Sequence, residues 1–156
     1  MSDAPEIPGS VPAFDAPPDG QLAAEMVNAF QDAGVIVLRD FVSHKACDRL
    51  RQRANELVAD FDPTQGRSVF SRRGEEEVDD RYVIESGDKI RFFLENDAFD
   101  EAGDLRQSKE NSLNKMGHAM HDLDAVFDAF SRTPELAAVA RSVGFDDPVI
   151  LQSMYI

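Results

Sequence analysis

Two of the three histidines in the chain, His118 and His121, are the residues whose spacing best suits chemistry. Both fall in a stretch whose apolar residues recur at helical spacing, and side chains three positions apart on a helix can meet. Asp122 and Asp124 follow closely, and two imidazoles with one carboxylate can form one face of a metal site. We favour the simpler alternative, in which one histidine lies at the edge of the core and the other in solvent.

Other kinds of catalytic site are not supported by the residues present. The sequence has no glycine-rich phosphate loop and no Gly-x-Ser-x-Gly elbow. Its single cysteine, Cys47, excludes zinc sites built on cysteine pairs and any internal disulfide. Cys47 falls on the apolar stripe of a predicted helix, and we therefore expect a packed thiol rather than a nucleophile.

Residues 85–93 alternate charged and bulky side chains around a turn. The pattern predicts a hairpin turn at residues 86–88, with Lys89 and Arg91 on one face and Ile90 and Phe92 on the other. We favour a half-buried hairpin whose cations lie at the surface. The alternative is a cationic edge that meets an anionic ligand or holds the acidic loops.

The composition bounds the partners of the protein. The 156 residues include 30 acidic and 16 basic side chains, which give a formal net charge of −14. A nucleic-acid-binding surface needs a basic face, and an anionic membrane repels so acidic a chain. We therefore expect no nucleic-acid partner and no membrane partner. The lone cysteine suggests a reducing compartment, and we expect a cytoplasmic protein.

The apolar pattern predicts an α+β fold. We expect a disordered proline-rich tail at residues 1–18 and one domain over residues 19–156. The start signals are Asp19, Ser43 and Thr133 as helix caps, and Gly34 is a stop signal. The predicted helices cover residues 21–33, 44–61, 109–131 and a short segment after Thr133. The predicted strands cover residues 35–38, 82–84, 90–94 and 148–156, with a polar loop at 64–80.

The last predicted strand runs to the final residue, Ile156, without a turn or a polar tail. An unpaired apolar strand is an aggregation liability that complete proteins usually manage. We therefore expect the sequence to be the N-terminal part of a longer protein.

Four segments of the sequence are informative when taken together and in order. They are residues 30–41 (FQDAGVIVLRDF), 87–93 (GDKIRFF), 112–121 (SLNKMGHAMH) and 151–156 (LQSMYI). Together they resemble the phytanoyl-CoA dioxygenase family, in particular its branch of domain-containing relatives. The resemblance covers about residues 22–156.

The resemblance implies a non-haem Fe(II) and 2-oxoglutarate-dependent dioxygenase with a double-stranded β-helix, or jelly-roll, core. This chain would supply the N-terminal helices and first strands of that core, truncated before the metal motif. The family holds iron with a His-x-Asp pair and a distal histidine, and an arginine further on grips 2-oxoglutarate. No His-x-Asp or His-x-Glu occurs in this sequence. We therefore assign no metal ligand and no catalytic residue to it, and expect the iron site beyond Ile156.

The resemblance also implies two minor contacts to 2-oxoglutarate. One is the methionine of the Gln-Ser-Met-Tyr strand, which is Met154 here. The other is a basic residue in the family, where this chain has Asn111. Lys109 or Lys115 can supply the cation instead. We therefore place Met154, Asn111 and Lys115 in the neighbourhood of 2-oxoglutarate.

Three functional hypotheses follow. The leading one is the N-terminal portion of a dioxygenase that hydroxylates a small organic substrate. It would be inactive without the remainder of its own catalytic domain and would bind neither cofactor tightly alone. The second is a non-catalytic binding or interaction module. The third is a small metalloprotein that uses His118, His121 and an acid.

Overall fold

The computed structural model describes residues 11–63 and 80–156 of the chain. The elements, in chain order, are β1 (Ala13–Asp15), α1 (Ala24–Ala33), β2 (Val37–Arg39), α2 (His44–Asp60), α3 (Asp80–Ile84), β3 (Ile90–Leu94), α4 (Lys109–Ser112), β4 (Leu113–His118), α5 (Met120–Leu123), α6 (Ala125–Ser131), α7 (Pro134–Ser142) and β5 (Ser153–Tyr155). The predicted mixture of helices and strands is confirmed. Most of the predicted loop at 64–80 lies outside the described residues.

Residue contacts divide the chain into two compact units. The first unit ends at Ser43 and resumes at Thr133–Val149. Its sheet is the parallel pair β1–β2, in which Phe14 is opposite Leu38. Part of the tail that we predicted to be disordered thus forms strand β1. The strand predicted at residues 35–38 begins two residues later and is not buried, because Val37 is 44% exposed.

The helix boundaries of the first unit follow recognisable caps. Gly34 ends α1 in the left-handed conformation, with φ 72°, and its N–H donates to the carbonyl of Phe30. The hydroxyl of Thr133 accepts from the N–H of Leu136, and Pro134 occupies the first turn of α7. Both predictions are confirmed. Asp19 does not cap α1, which begins at Ala24.

The second unit comprises His44–Arg132 and Ile150–Ile156. Its sheet has the antiparallel order β3–β4–β5. Phe93 is opposite Lys115 in the β3–β4 pair, and Met154 is opposite Gly117 in the β4–β5 pair. The predicted strand at residues 90–94 is confirmed, and the one predicted at 148–156 is limited to Ser153–Tyr155.

One face of this sheet packs on α2 and α6 to form the core. The buried members of the cluster are Ala54, Val58, Met116, Met120 and Phe127. Ile90, Phe92, Leu113 and Tyr155 pack against them from the strands, as do Leu50 and Leu57 from α2. The apolar stripe predicted on the second helix therefore does bury against the core.

The single helix predicted over residues 109–131 is wrong. The segment forms α4, strand β4, α5 and α6 in succession. Gly117 disfavours a continuous helix, and Asp124 starts a new one, because its carboxylate accepts from the N–H groups of Val126 and Phe127. Met116, Met120 and Phe127 still face the core, but from a strand and two short helices.

The strand predicted at residues 82–84 is also wrong, because these residues belong to helix α3. The hydroxyl of Tyr82 donates to the carbonyl of Phe92 at 3.1 Å and accepts from the Phe92 N–H at 3.3 Å. The Tyr82 hydroxyl thus bonds the backbone of Phe92 at the edge of β3. We had expected the strand at residues 82–84 to pair with β3 there. The turn at residues 86–88 joins a helix to a strand.

Within the described residues, the two sheets have two and three strands, and neither closes into a barrel. No helix in the described part of the chain combines the length and apolar character needed to cross a membrane.

Candidate functional site

The face of the β3–β4–β5 sheet that points away from the core carries the predicted cofactor neighbours. Alternation along the strands places Arg91 and Phe93 of β3, Lys115 and Gly117 of β4 and Met154 of β5 on this side. We call these five residues the open face. It differs from the core face in bearing two cations and a glycine.

An aromatic ring lies beneath the Lys115 ammonium. Nζ of Lys115 lies 5.1 Å from the centroid of the Phe93 ring, a distance at which a cation and an aromatic face attract each other. Phe93 is fully buried. The Tyr82 ring meets it edge-on at 5.4 Å, and the His118 ring lies 5.5 Å away. The Lys115 ammonium therefore lies over the ring of Phe93, which is itself packed against the rings of Tyr82 and His118.

The second cation of the open face is held within the protein. The Arg91 guanidinium lies 4.4 Å from the centroid of the Tyr82 ring and donates to the Tyr82 carbonyl at 2.6 Å. It also contacts Glu85 at 3.4 Å. Lys89 pairs with Asp88 at 2.5 Å. Arg91 therefore links α3 to β3. We predicted both Lys89 and Arg91 at the surface, but only Lys89 is largely exposed.

Gly117 lies close to Met154 across the β4–β5 pair. A Cβ atom at position 117 would lie 3.0 Å from Cγ of Met154 and 3.0 Å from the Ser153 carbonyl oxygen. Met154 is 41% exposed. The missing side chain lets the Met154 side chain lie close to the backbone of β4.

His118 is buried beside the open face and paired with a serine. Its Nδ1 lies 2.7 Å from Oγ of Ser86, which is fully buried. Burial, with a smaller contribution from the nearby charge of Lys115, lowers the pKa of His118 below its ordinary value. The imidazole is therefore neutral at physiological pH.

His121 has a different serine partner. Its Nδ1 lies 2.8 Å from Oγ of Ser153, and its backbone N–H donates to the same oxygen at 3.0 Å. Arg132 donates to the carbonyl of His121 and pairs with Asp122. The two histidines are thus each held by a separate serine rather than converging on one helix face. Both are buried, so the expectation that one of them lies in solvent is wrong.

Asp124 is committed to a structural role. Its carboxylate accepts from Nε of Arg53 at 2.6 Å and caps α6. Burial alone would raise the pKa of Asp124, but the hydrogen bond from Arg53 and those from the backbone of α6 outweigh it. The net result is a pKa below the ordinary value, and the carboxylate is charged at neutral pH.

The three predicted cofactor neighbours lie in two places. Lys115 and Met154 share the open face on adjacent strands. Asn111 is exposed on α4, four residues before Lys115 and outside the sheet. Its proximity to 2-oxoglutarate stays a prediction. Cys47 is a free, half-buried thiol on α2.

A cavity of about 260 Å³ lies elsewhere in the second unit. Residues of α2, α4, β4 and β5 line it, and none of them belongs to the open face. Its walls are Asn55, Val58, Glu110, Leu113, Asn114, Tyr155 and Ile156.

Ser86 and Tyr82 lie beside His118 and Phe93, and we had predicted no site role for either residue from the sequence. Ser86 is 32 positions from His118, and Tyr82 was assigned to a strand. Gly117 offered a signal, because a glycine inside a strand often marks a close approach of another backbone or ligand.

The described residues do not fit an iron centre. They contain no group of three histidine, cysteine, aspartate or glutamate side chains that could hold a metal ion. His118 and His121 are bound to serines, and Asp124 to Arg53. The metal site that we considered for these residues is therefore not formed.

The chain is similar to a group of known dioxygenases. A family model described as phytanoyl-CoA dioxygenase (PhyH) matches residues 30–156. A "Phytanoyl-CoA dioxygenase" of Arabidopsis thaliana is 38% identical over 137 residues, covering 88% of this chain and 48% of the relative. "Phytanoyl-CoA dioxygenase domain-containing protein 1" of Bos taurus is 40% identical over 140 residues, covering 86% and 48%.

A third relative, "Phytanoyl-CoA dioxygenase 1" of Oryza sativa, is 39% identical over 140 residues, covering 90% of this chain and 49% of the relative. The chain thus spans about half the length of the curated relatives it matches. The match over residues 30–156 includes every strand of the second unit. On this basis, the chain belongs to the phytanoyl-CoA dioxygenase family.

Proposed function

We propose that this chain forms one wall of the 2-oxoglutarate site in an iron-dependent dioxygenase that hydroxylates a small organic substrate. The observation that carries the proposal is the placement of Lys115 and Met154 on one face of the same sheet, in neighbouring strands. The two residues are 39 positions apart in the sequence, and only the pairing of β4 with β5 brings them together.

Lys115 is the residue to which we assign a carboxylate of 2-oxoglutarate. An ammonium is a compact charge with three donors, and it suits a carboxylate oxygen. The ring of Phe93 lies on one side of this ammonium. A carboxylate bound to this ammonium would form a charge-assisted hydrogen bond, which is stronger than a neutral one.

Met154 and Gly117 suit the carbon chain of the same molecule. The thioether is flexible and polarisable, and it packs against irregular apolar groups. Gly117 places no side chain between Met154 and Lys115. A short dicarboxylate can therefore lie across β4 with its charge at Lys115 and its methylenes against Met154.

When bound in such an enzyme, 2-oxoglutarate supplies two electrons through its oxidative decarboxylation. This chain's own part is to hold and orient the molecule. We place the metal ligands outside the described residues, because those residues offer no set of three. The chain alone is then expected to bind 2-oxoglutarate weakly and not to turn it over.

The substrate class rests on the relatives. Those of Arabidopsis and Oryza are named for phytanoyl-CoA, and we extend to this chain only the proposal of a small organic substrate. The cytoplasm is the compartment that we propose, because the chain carries a single free cysteine.

The test is to mix the purified chain with 2-oxoglutarate, Fe(II) and ascorbate and to follow both binding and succinate by NMR. We expect saturation transfer to 2-oxoglutarate and no succinate above the protein-free control. Failure to bind would contradict the assignment of the open face. Iron-dependent succinate would contradict the expectation that this chain alone does not turn over 2-oxoglutarate.

A further inference from the structure

The imidazole of His118 presents an unused acceptor next to the open face. Only 9% of the residue is exposed, and its ring lies 5.5 Å from that of Phe93. One ring nitrogen, Nδ1, meets Oγ of Ser86 at 2.7 Å. The Ser86 backbone also forms a hydrogen bond with the ring. Among the described residues, no side chain forms a hydrogen bond with the other nitrogen, Nε2.

The single proton of the Ser86 hydroxyl decides the tautomer of His118. Oγ of Ser86 lies 2.5 Å from the carbonyl oxygen of Val83. A carbonyl can only accept, and the hydroxyl has only one proton to donate. The proton must point to Val83, and Oγ must accept from Nδ1–H of His118. The neutral ring then carries its lone pair on Nε2.

A buried acceptor without a partner is costly, and folded proteins rarely leave one. No carboxylate can supply the missing hydrogen bond, because an ionised carboxylate only accepts. The required partner is an O–H or N–H group. Nζ of Lys115 and the His118 ring lie 5.1 Å and 5.5 Å from the centroid of the same Phe93 ring, and the charge of Lys115 acts on His118. A donor bound at Nε2 and an anion held at Lys115 would therefore have Phe93 as a common neighbour.

We propose that Nε2 of His118 accepts a hydrogen bond from a hydroxyl or N–H group of the organic substrate, beside the 2-oxoglutarate held at Lys115. His118 is then a substrate-positioning residue, and Ser86 is the residue that fixes its tautomer. The inference rests on the proposed function of Lys115, and it adds a chemical requirement to the substrate: a hydrogen-bond donor near the bound carboxylate.

The tautomer can be tested without any ligand. In ¹⁵N NMR spectra of the whole chain, we expect Nδ1 of His118 to be protonated and Nε2 to be unprotonated at neutral pH. Ser86→Ala should shift the ring toward a mixture of tautomers, whereas Ser153→Ala, which alters the partner of His121, should leave His118 unchanged. A protonated Nε2 in the unmodified chain would overturn the proposal whether or not the variants fold.

The ligand requirement can be tested with three five-carbon dianions. Glutarate and 2-oxoglutarate carry no donor. 2-Hydroxyglutarate carries one hydroxyl next to a carboxylate, and this hydroxyl stands in for the substrate donor required beside the bound carboxylate. We expect all three to shift the Lys115 Nζ resonance and only 2-hydroxyglutarate to shift Nε2 of His118. A neutral hydrogen bond should make 2-hydroxyglutarate bind roughly threefold to tenfold tighter than glutarate, a preference that His118→Phe should remove.

The outcomes separate the two proposals. If Lys115 responds to all three dianions and Nε2 of His118 to none, the role of His118 is overturned while that of Lys115 stands. If Lys115 responds to none of them, the proposed function fails and the substrate role of His118 falls with it. The tautomer measurement is independent of either result.

Discussion

The two faces of the β3–β4–β5 sheet differ in what their side chains are used for. The core face presents Met116, which is fully buried against α2. The open face presents Met154, which is 41% exposed, and a lysine over an aromatic ring. The same residue type, methionine, thus serves packing on one face and is available to a ligand on the other. The residue type alone therefore does not tell a packing methionine from one that is available to a ligand.

Phe93 shows that the open face is not simply a solvent face. It is fully buried although it points away from the core, because Tyr82 and His118 cover it. On the open face, Lys115 therefore lies over a fully buried aromatic ring. We infer that changes to the core-face side chains alter mainly stability, and that changes to Lys115 and Met154 alter mainly ligand binding.

The largest expected effect on stability comes from Met116→Ala. Removing a fully buried methionine leaves a cavity, and we expect the free energy of unfolding to fall by about 3 kcal/mol. The matched change on the open face, Met154→Ala, should cost less than about 1 kcal/mol, because the side chain is already partly exposed. Urea denaturation of both variants measures the difference, and equal losses would contradict the division between the faces.

The next largest loss of stability is expected from a change to Asp124. Asp124→Ala removes both the cap of α6 and the partner of Arg53. We expect a loss of about 2 kcal/mol in the free energy of unfolding. The control is Asp122→Ala, whose carboxylate is 56% exposed and should matter little. A loss for Asp122→Ala as large as that for Asp124→Ala would contradict this assignment.

The same carboxylate predicts an acid dependence. The pKa of Asp124 is lower in the folded protein than its ordinary value of 3.8. Its contribution is therefore complete above that value and is lost as the pH falls through the lower folded value. The pKa of His118, lowered by burial, adds a loss that begins below its ordinary value of 6.5. Urea denaturation from pH 7 to pH 3 should show stability falling in wild type and less steeply in Asp124→Asn.

How much the sequence predicts depends on whether a signal is local. Thr133, Pro134 and Gly34 act on their own helix ends, and their roles are confirmed. The helix expected over residues 109–131 fails because the apolar spacing of a core-facing segment does not distinguish one helix from a strand and two short helices. The strand expected at Tyr82 fails because its hydroxyl is used by a residue ten positions away.

The site divides in the same way. Lys115, Met154 and Asn111 were predicted through the resemblance. The first two lie on one face of the sheet, Asn111 lies on α4, and their contact with 2-oxoglutarate stays a prediction. The pair Ser86–His118 depends on a contact between distant segments, and no local pattern marks it. Tertiary contacts therefore account for what sequence analysis left out.

A smaller loss of stability is expected from a change at the contact between β4 and β5. Gly117→Ala would place Cβ 3.0 Å from both Met154 and the Ser153 carbonyl. Relief of this crowding should shift β5 and cost about 1 kcal/mol. Gly87→Ala is the control, because a Cβ there meets nothing within 4 Å. Thermal unfolding compares the two, and equal melting temperatures would show that β5 adjusts without cost.

The most direct test of the account is the affinity of 2-oxoglutarate for two lysine variants, measured by isothermal titration calorimetry. Lys115→Met removes the ammonium of the open face, and Lys45→Met removes an exposed one on α2. We predict that Lys115→Met weakens binding tenfold or more, as expected for a lost charge-assisted hydrogen bond of roughly 1.5–3 kcal/mol, with little change in unfolding. Lys45→Met should bind as the unmodified chain does. Equal affinity in both variants would contradict the central claim.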